Sequence, residues 1–206
     1  MAINFPTSLD NFTNPTSGNT LDSPSHSTQH SDANDAIEAI EAKLGIGSAP
    51  ASSATLGQVL VKGATNTTWS NTINNPVLVS PEESITISAT AASGTVALDM
   101  GLSNATYYTT NATSNWAVNL RANSTASLDS ILSTGQSITH VFLNTNGTGV
   151  FYPNVYFVDG GTAVPKWQGG VAPTAGNASS IDAYSFTAIK TAGTTFTVLA
   201  SQTQFK

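Results

Sequence analysis

Three histidines, two aspartates and one tryptophan carry most of the chemistry this sequence could do. His26 and His30 stand four residues apart, the spacing that lets two imidazoles face one ion from a helix. Pro24 and the Ser, Thr and Gln around them make a poor helix, and no carboxylate or third histidine stands at ligand spacing. The segment therefore reads as a polar lead-in, and no metal ligand is assigned. His140, inside the run SITHVFL, reads as a hydrogen-bonding residue at the edge of a core. Asp159 in YFVDGG and Asp182 in SSIDAY are the acid–base candidates, but Asp before Gly is ordinarily a turn residue. Neither a GxSxG elbow nor a Gly-rich phosphate loop occurs, so the chain is read as no enzyme and no cofactor is implied. Trp167, between Lys166 and Gln168 in the Gly-rich stretch DGGTAVPKWQGGVAP, has the equipment to stack a sugar ring. The plainer and favoured reading is a Trp folded back to plug the sandwich, with the sugar contact as the alternative.

The composition narrows the partners. The chain has 206 residues, of which 9% are charged and 39% hydrophobic, so it can bury a core while drawing its polarity from Ser, Thr, Asn and Gln. With six Lys and Arg and a net charge of −6 it has no basic patch, which disfavours nucleic acid and anionic membrane as partners. Cysteine is absent, which excludes a disulfide framework. No apolar run approaches the ~20 residues of a bilayer span, and the N-terminus has no signal-peptide pattern. No membrane insertion is expected, and synthesis in a cytoplasm is.

Four segments must position these residues. Residues 1–31 hold Pro6, Pro15 and Pro24 among scattered apolar side chains, notably Phe5, Leu9, Phe12 and Leu21, and read as an extended arm that docks on another surface. Residues 32–46 read as a short coiled-coil helix over 32–44, with Asp32 as N-cap, Lys43 in the last turn and Gly45 just beyond. Ala33, Ile37, Ile40 and Leu44 lie four, three and four residues apart, a heptad seam with Glu38 and Glu41 off it. An isolated helix this short is marginal in water, so the stripe needs a partner. Ile at both an a and a d position favours three strands, which makes the segment a trimerisation clamp. A ring of three His26 or three His30 about that axis is the one arrangement that would turn the lead-in into a metal site. Residues 47–75 read as a linker and a β-hairpin, Gln58–Lys62 turning near Gly63 toward Trp69. Residues 76–206 show nine short runs without helical period, expected to form a jelly-roll-like β-sandwich, with a hairpin at Asn146-Gly147 and a helical turn at SLDSIL.

The stretch LDSPSHSTQHSDANDAIEAIEAKLG resembles a segment near the N-termini of many tailed-bacteriophage fibre and virion proteins. GQVLVKGATNTTWSN resembles the GQVL…G…W repeats that follow it in phage tail fibres. LSTGQSITHVFL, VDGGTAVPKWQGG and NASSIDAYSFTAIKT resemble a β-sandwich domain of marine and cyanobacterial phage fibres. The resemblance implies a structural virion protein, most simply a homotrimeric tail fibre. Its N-terminal arm would hold tail, collar, baseplate or capsid proteins, and its distal domain would reach toward a host surface glycan. A capsid decoration protein, head fibre, or collar or baseplate adaptor without receptor binding is the alternative. The family supplies no catalytic residues.

Overall fold

The computed structural model describes residues 16–22, 25–44, 54–55, 57–62, 67–73, 76–77 and 79–206. The chain divides into two compact units, Met1–Val79 and Ser80–Lys206, and is mainly β. Among the described residues no helix is long and apolar enough to cross a membrane.

The first unit contains the helix α1 (His26–Leu44) and an antiparallel pair, β1 (Val59–Lys62) and β2 (Thr67–Ser70), with Leu60 opposite Trp69. The helix starts earlier than Asp32. Just before it the chain reverses through a bridge between Asp22 and Ser25, and the His26 amide donates to the Leu21 carbonyl at 2.9 Å. Ser25 then takes the capping position, its hydroxyl 3.5 Å from the Thr28 amide and its carbonyl accepting from Gln29 at 3.0 Å. A serine at the cap outweighs the weak propensity of the Ser and Thr that follow, so His26 and His30 are helical and Asp32 lies inside the helix rather than at its start. Leu44 ends the described helix; Phe5, Leu9, Phe12 and Gly45 lie outside the described residues.

The second unit is wound from alternating strands. Strands β3 (Ile85–Ala91), β5 (Ala105–Thr110) and β7 (Ser137–Asn146) pair in parallel in one sheet, while β4 (Thr95–Asp99), β6 (Trp116–Arg121) and β8 (Pro153–Val158) pair in parallel in another. The chain thus passes from sheet to sheet and back three times, each pass stacking on the last. The stacking aligns like residues into rungs: Val96 with Val118 and Tyr156, Leu98 with Leu120 and Val158. A long antiparallel hairpin, β11 (Ser180–Ala192) and β12 (Thr195–Phe205), extends the first sheet beyond β7. Two short strands, β9 (Gly161–Thr162) and β10 (Lys166–Trp167), finish the edges beside β8 and β12. The resulting sheets have six and four strands, ordered β10-β12-β11-β7-β5-β3 and β4-β6-β8-β9.

Both sheets contribute to one core. Trp116 of the four-stranded sheet meets Phe142 and Tyr184 of the six-stranded sheet edge-on, at ring-centroid distances of 6.0 and 6.2 Å. Leu98, Val118, Leu120, Leu128, Phe186 and Ala188 complete the buried cluster around them. The parallel pairing departs from the jelly-roll expectation, whose strands run antiparallel. The expected Asn146-Gly147 hairpin is likewise a crossing from β7 in one sheet to β8 in the other. Asn146 stays a strand residue because its amide is bonded inward, to the Phe151 carbonyl at 3.0 Å and to Asp182 at 3.2 Å. Gly147 follows at close range to Asn111: a Cβ there would meet the end of that exposed side chain at 2.8 Å and displace it.

The helical turn is present as α2 (Leu128–Ile131), held at both ends by side chains from other elements. Asp159 accepts from the Leu128 and Asp129 amides at 2.7 and 3.0 Å. Lys190, on the inner face of β11, donates to the Asp129 and Leu132 carbonyls at 2.7 and 2.8 Å and pairs with the Asp129 carboxylate at 2.8 Å. Replacing Lys190 by Met strips two half-buried carbonyls of their donor. The expected loss is about 2 kcal/mol, read as a lower urea midpoint at unchanged slope.

Candidate functional site

The apolar seam of α1 is turned away from the chain that carries it. Gln29, Asp32, Ala36 and Ala39, three, four and three residues apart, form the covered stripe of the helix, and Asp32 is only 8% exposed. The apolar stripe points elsewhere. Ile37 is 55% exposed and Ile40 47%, and Ala33 is exposed with them. A helix packing on its own chain ordinarily buries its isoleucines first. Here the chain covers an alanine-rich stripe and leaves the isoleucines outward.

The histidines belong to the same outward stripe. His26 and His30 precede Ala33 at spacings of four and three, so one heptad seam runs through His26, His30, Ala33, Ile37, Ile40 and Leu44. Both imidazoles are exposed, and their Nε2 atoms lie 3.1 Å apart with the rings edge-on at 85°. The spacing was visible in the sequence. What hid it was the assignment of the first turn to an extended arm.

No protein-family model, curated protein or solved structure matches this chain. The functional reading therefore stands on its own surfaces.

The second surface is the outer face of the six-stranded sheet. Registers place Ile85, Ala105, Val141, Ser185 and Ser201 in one row across it, and Ile87, Tyr107, Leu143, Ala183 and Thr203 in the next. From β3 to β12 this face carries no charged side chain, and Ile87 is 70% exposed. The charged and imidazole groups of these strands, His140, Asp182 and Lys190, are turned inward and buried. The first outward charge is Lys166 on the short edge strand β10. The four-stranded sheet behaves differently: its outer face holds the Arg121–Asp99 ion pair at 2.6 Å. The outer face of the six-stranded sheet is thus uncharged and mixes Ser and Thr hydroxyls with aliphatic side chains such as Ile85, Ile87, Val141 and Leu143.

The loop around Trp167 is placed by β10. Trp167 pairs with Ala200 on the core side, and its ring meets Tyr156 and Phe186 at 5.6 and 6.2 Å. It is half-buried and turned inward, while Lys166 and Gln168 are exposed beside a shallow depression that also touches Ser185, Thr187 and Leu199. Leu21, the one described residue among the four apolar side chains assigned to the arm, is exposed.

Asp159, Asp182, Tyr156, Tyr184 and His140 each hold partners within the fold. Asp159 caps α2 and Asp182 sits in an amide cluster, so the two carboxylates hold separate sets of partners. Burial pushes the Tyr156 and Tyr184 phenols up, which keeps both neutral. His140 is fully buried, with Nδ1 2.9 Å from the Ser103 carbonyl and Nε2 3.0 Å from the Thr106 hydroxyl. A carbonyl only accepts, so Nδ1 carries the proton and Nε2 accepts from Thr106. Desolvation lowers the His140 pKa, against the opposing pull of the Ser103 carbonyl and the Asp99 charge. The unfolded chain therefore takes up the proton first as pH falls through about 6.5, and the folded state loses stability there. The wild type should lose up to about 1.4 kcal/mol per pH unit more than His140→Gln on acidification below that point. Parallel slopes in urea unfolding at a series of pH values would show that His140 titrates alike in both states.

Proposed function

We propose that this chain is a structural virion protein of a tailed bacteriophage, assembled as a homotrimeric fibre. The segment before α1 attaches to the particle, α1 clamps three copies, and the second unit is a β-sandwich body whose two facing sheets are wound as stacked coils. The observation that carries this reading is the outward heptad seam of α1, whose isoleucines are left uncovered by their own chain. Copies of the same chain are the occupants that fit, because an a/d stripe with Ile at both positions packs against its own equivalents about a three-fold axis. The outer face of the six-stranded sheet is compatible with self-association: it is uncharged, mixes hydroxyl and aliphatic side chains, and belongs to a chain with few charges to keep it apart from its copies. The phage assignment comes from the N-terminal segment that spans the seam.

Native mass decides the matter. Light scattering on the full chain should give three times the 21.1 kDa of one chain. A monomer at micromolar concentration would remove the fibre and favour an adaptor or decoration protein that finds its partner only on the particle.

A further inference from the structure

We infer that His26 and His30 form, in the assembled trimer, an axial site for a single divalent transition-metal ion. The inference rests on the trimer reading above and extends it to a ligand. In a parallel three-stranded coil every a and d residue meets its two equivalents at the axis. His26 and His30 occupy two successive seam positions, so the clamp begins with two adjacent layers of three imidazoles each. Polar layers in a coiled-coil seam cost stability unless their polar atoms are satisfied.

The geometry within one chain already suits a metal. Two imidazole nitrogens that bind one ion at 2.0–2.1 Å lie about 3 Å apart when they subtend close to a right angle. The observed Nε2 separation is 3.1 Å, which in the single chain is a hydrogen bond from one imidazole to the other that a shared ion would replace. No single chain completes the shell: among the described residues no group of three or more His, Cys, Asp or Glu could hold a metal. The missing ligands must come from the other two copies, which the seam places on the same axis. An all-imidazole donor set selects zinc, nickel, copper or cobalt over magnesium or calcium. Binding would pin the register of the clamp at the end where a short coil frays, because a ligand that binds only the assembled form stabilises assembly.

The test uses full-length protein stripped with EDTA and returned to metal-free buffer. Its mass is measured by light scattering, and NiCl2, ZnCl2 and MgCl2 are titrated in separately by calorimetry. The expected result is one Ni or Zn ion per three chains and no Mg binding. His26→Leu and His30→Leu should keep the trimer, since Leu suits a seam position, while weakening Ni binding by roughly 100-fold or more. A trimer that binds neither Ni nor Zn overturns the metal site and leaves the clamp standing. One ion per chain, or binding unchanged in both Leu variants, also overturns the axial site. A full chain that is monomeric overturns both.

Discussion

Full-length protein carrying Ile37→Asp and Ile40→Asp should be a monomer at concentrations where the unaltered chain is a trimer. In the single chain both side chains are about half uncovered, so the change costs the monomer little. In the clamp it places two layers of three carboxylates on the axis. Each Ile brought out of water contributes about 1.5–3 kcal/mol, and that gain disappears at six sites per trimer. Each buried, unpaired carboxylate adds a penalty of several kcal/mol in its place. The sum exceeds what the association of three short helices can supply. Glu38, exposed and off the seam, gives the control: Glu38→Ala should leave the mass unchanged. The double variant should also keep the β-sheet circular dichroism of the second unit, because neither residue belongs to its core. A double variant that remains trimeric would put assembly in the sheet face instead of the helix.

The helix seam and the mainly β character were legible in the sequence because each rests on periodicity within one element. Ile37 and Ile40 announce their stripe by spacing, and SIDAYSFTAIK announces a strand with one buried face. The pairing of strands was not legible for the same reason. Alternation in SITHVFLNTN says that His140, Phe142, Asn144 and Asn146 share a face, but not which strand lies alongside. Asn-Gly after such a run favours a hairpin on local chemistry. The tertiary demand on Asn146, which must reach Phe151 and Asp182, overrides it. The start of α1 was missed through a similar local bias: Ser and Thr lower helix propensity inside a helix, yet Ser25 at its end is a good cap. The outer face of the six-stranded sheet could be found only after the registers were known. Ile85, Val141 and Ala183 lie far apart in sequence and become one surface through three separate pairings.

Asp182→Ala should damage the second unit as much as the loss of a large core side chain. The carboxylate is fully buried on the inner face of β11, and four donors reach it. Asn177 supplies its amide N–H at 2.8 Å and its side-chain nitrogen at 2.7 Å, Asn146 its side-chain nitrogen at 3.2 Å and Gln202 its own at 3.4 Å. The charge is thus spread over amide dipoles, and through them Asp182 joins β7, β12 and the loop before β11. That loop passes so close that a Cβ on Gly176 would collide with the Phe151 carbonyl and with Asp182 itself. Alanine strips both Asn177 nitrogens of their acceptor, while Asn146 keeps the Phe151 carbonyl and Gln202 keeps the Ala175 carbonyl and the Tyr184 hydroxyl. At about 1–3 kcal/mol for each stranded group, partly recovered by relaxation, a loss of about 4 kcal/mol is expected. Asp182→Asn keeps the shape and one acceptor but turns an NH2 toward donors, so about 2 kcal/mol fits it better. Unfolding in urea at one fixed protein concentration separates these cases, since assembly would otherwise shift the midpoints. If Asp182→Ala falls within about 0.5 kcal/mol of the wild type, the range of a surface substitution, the amide cluster does not hold the hairpin to the coils. The β7–β11 ladder and the contact of Trp116 with Tyr184 must then do so.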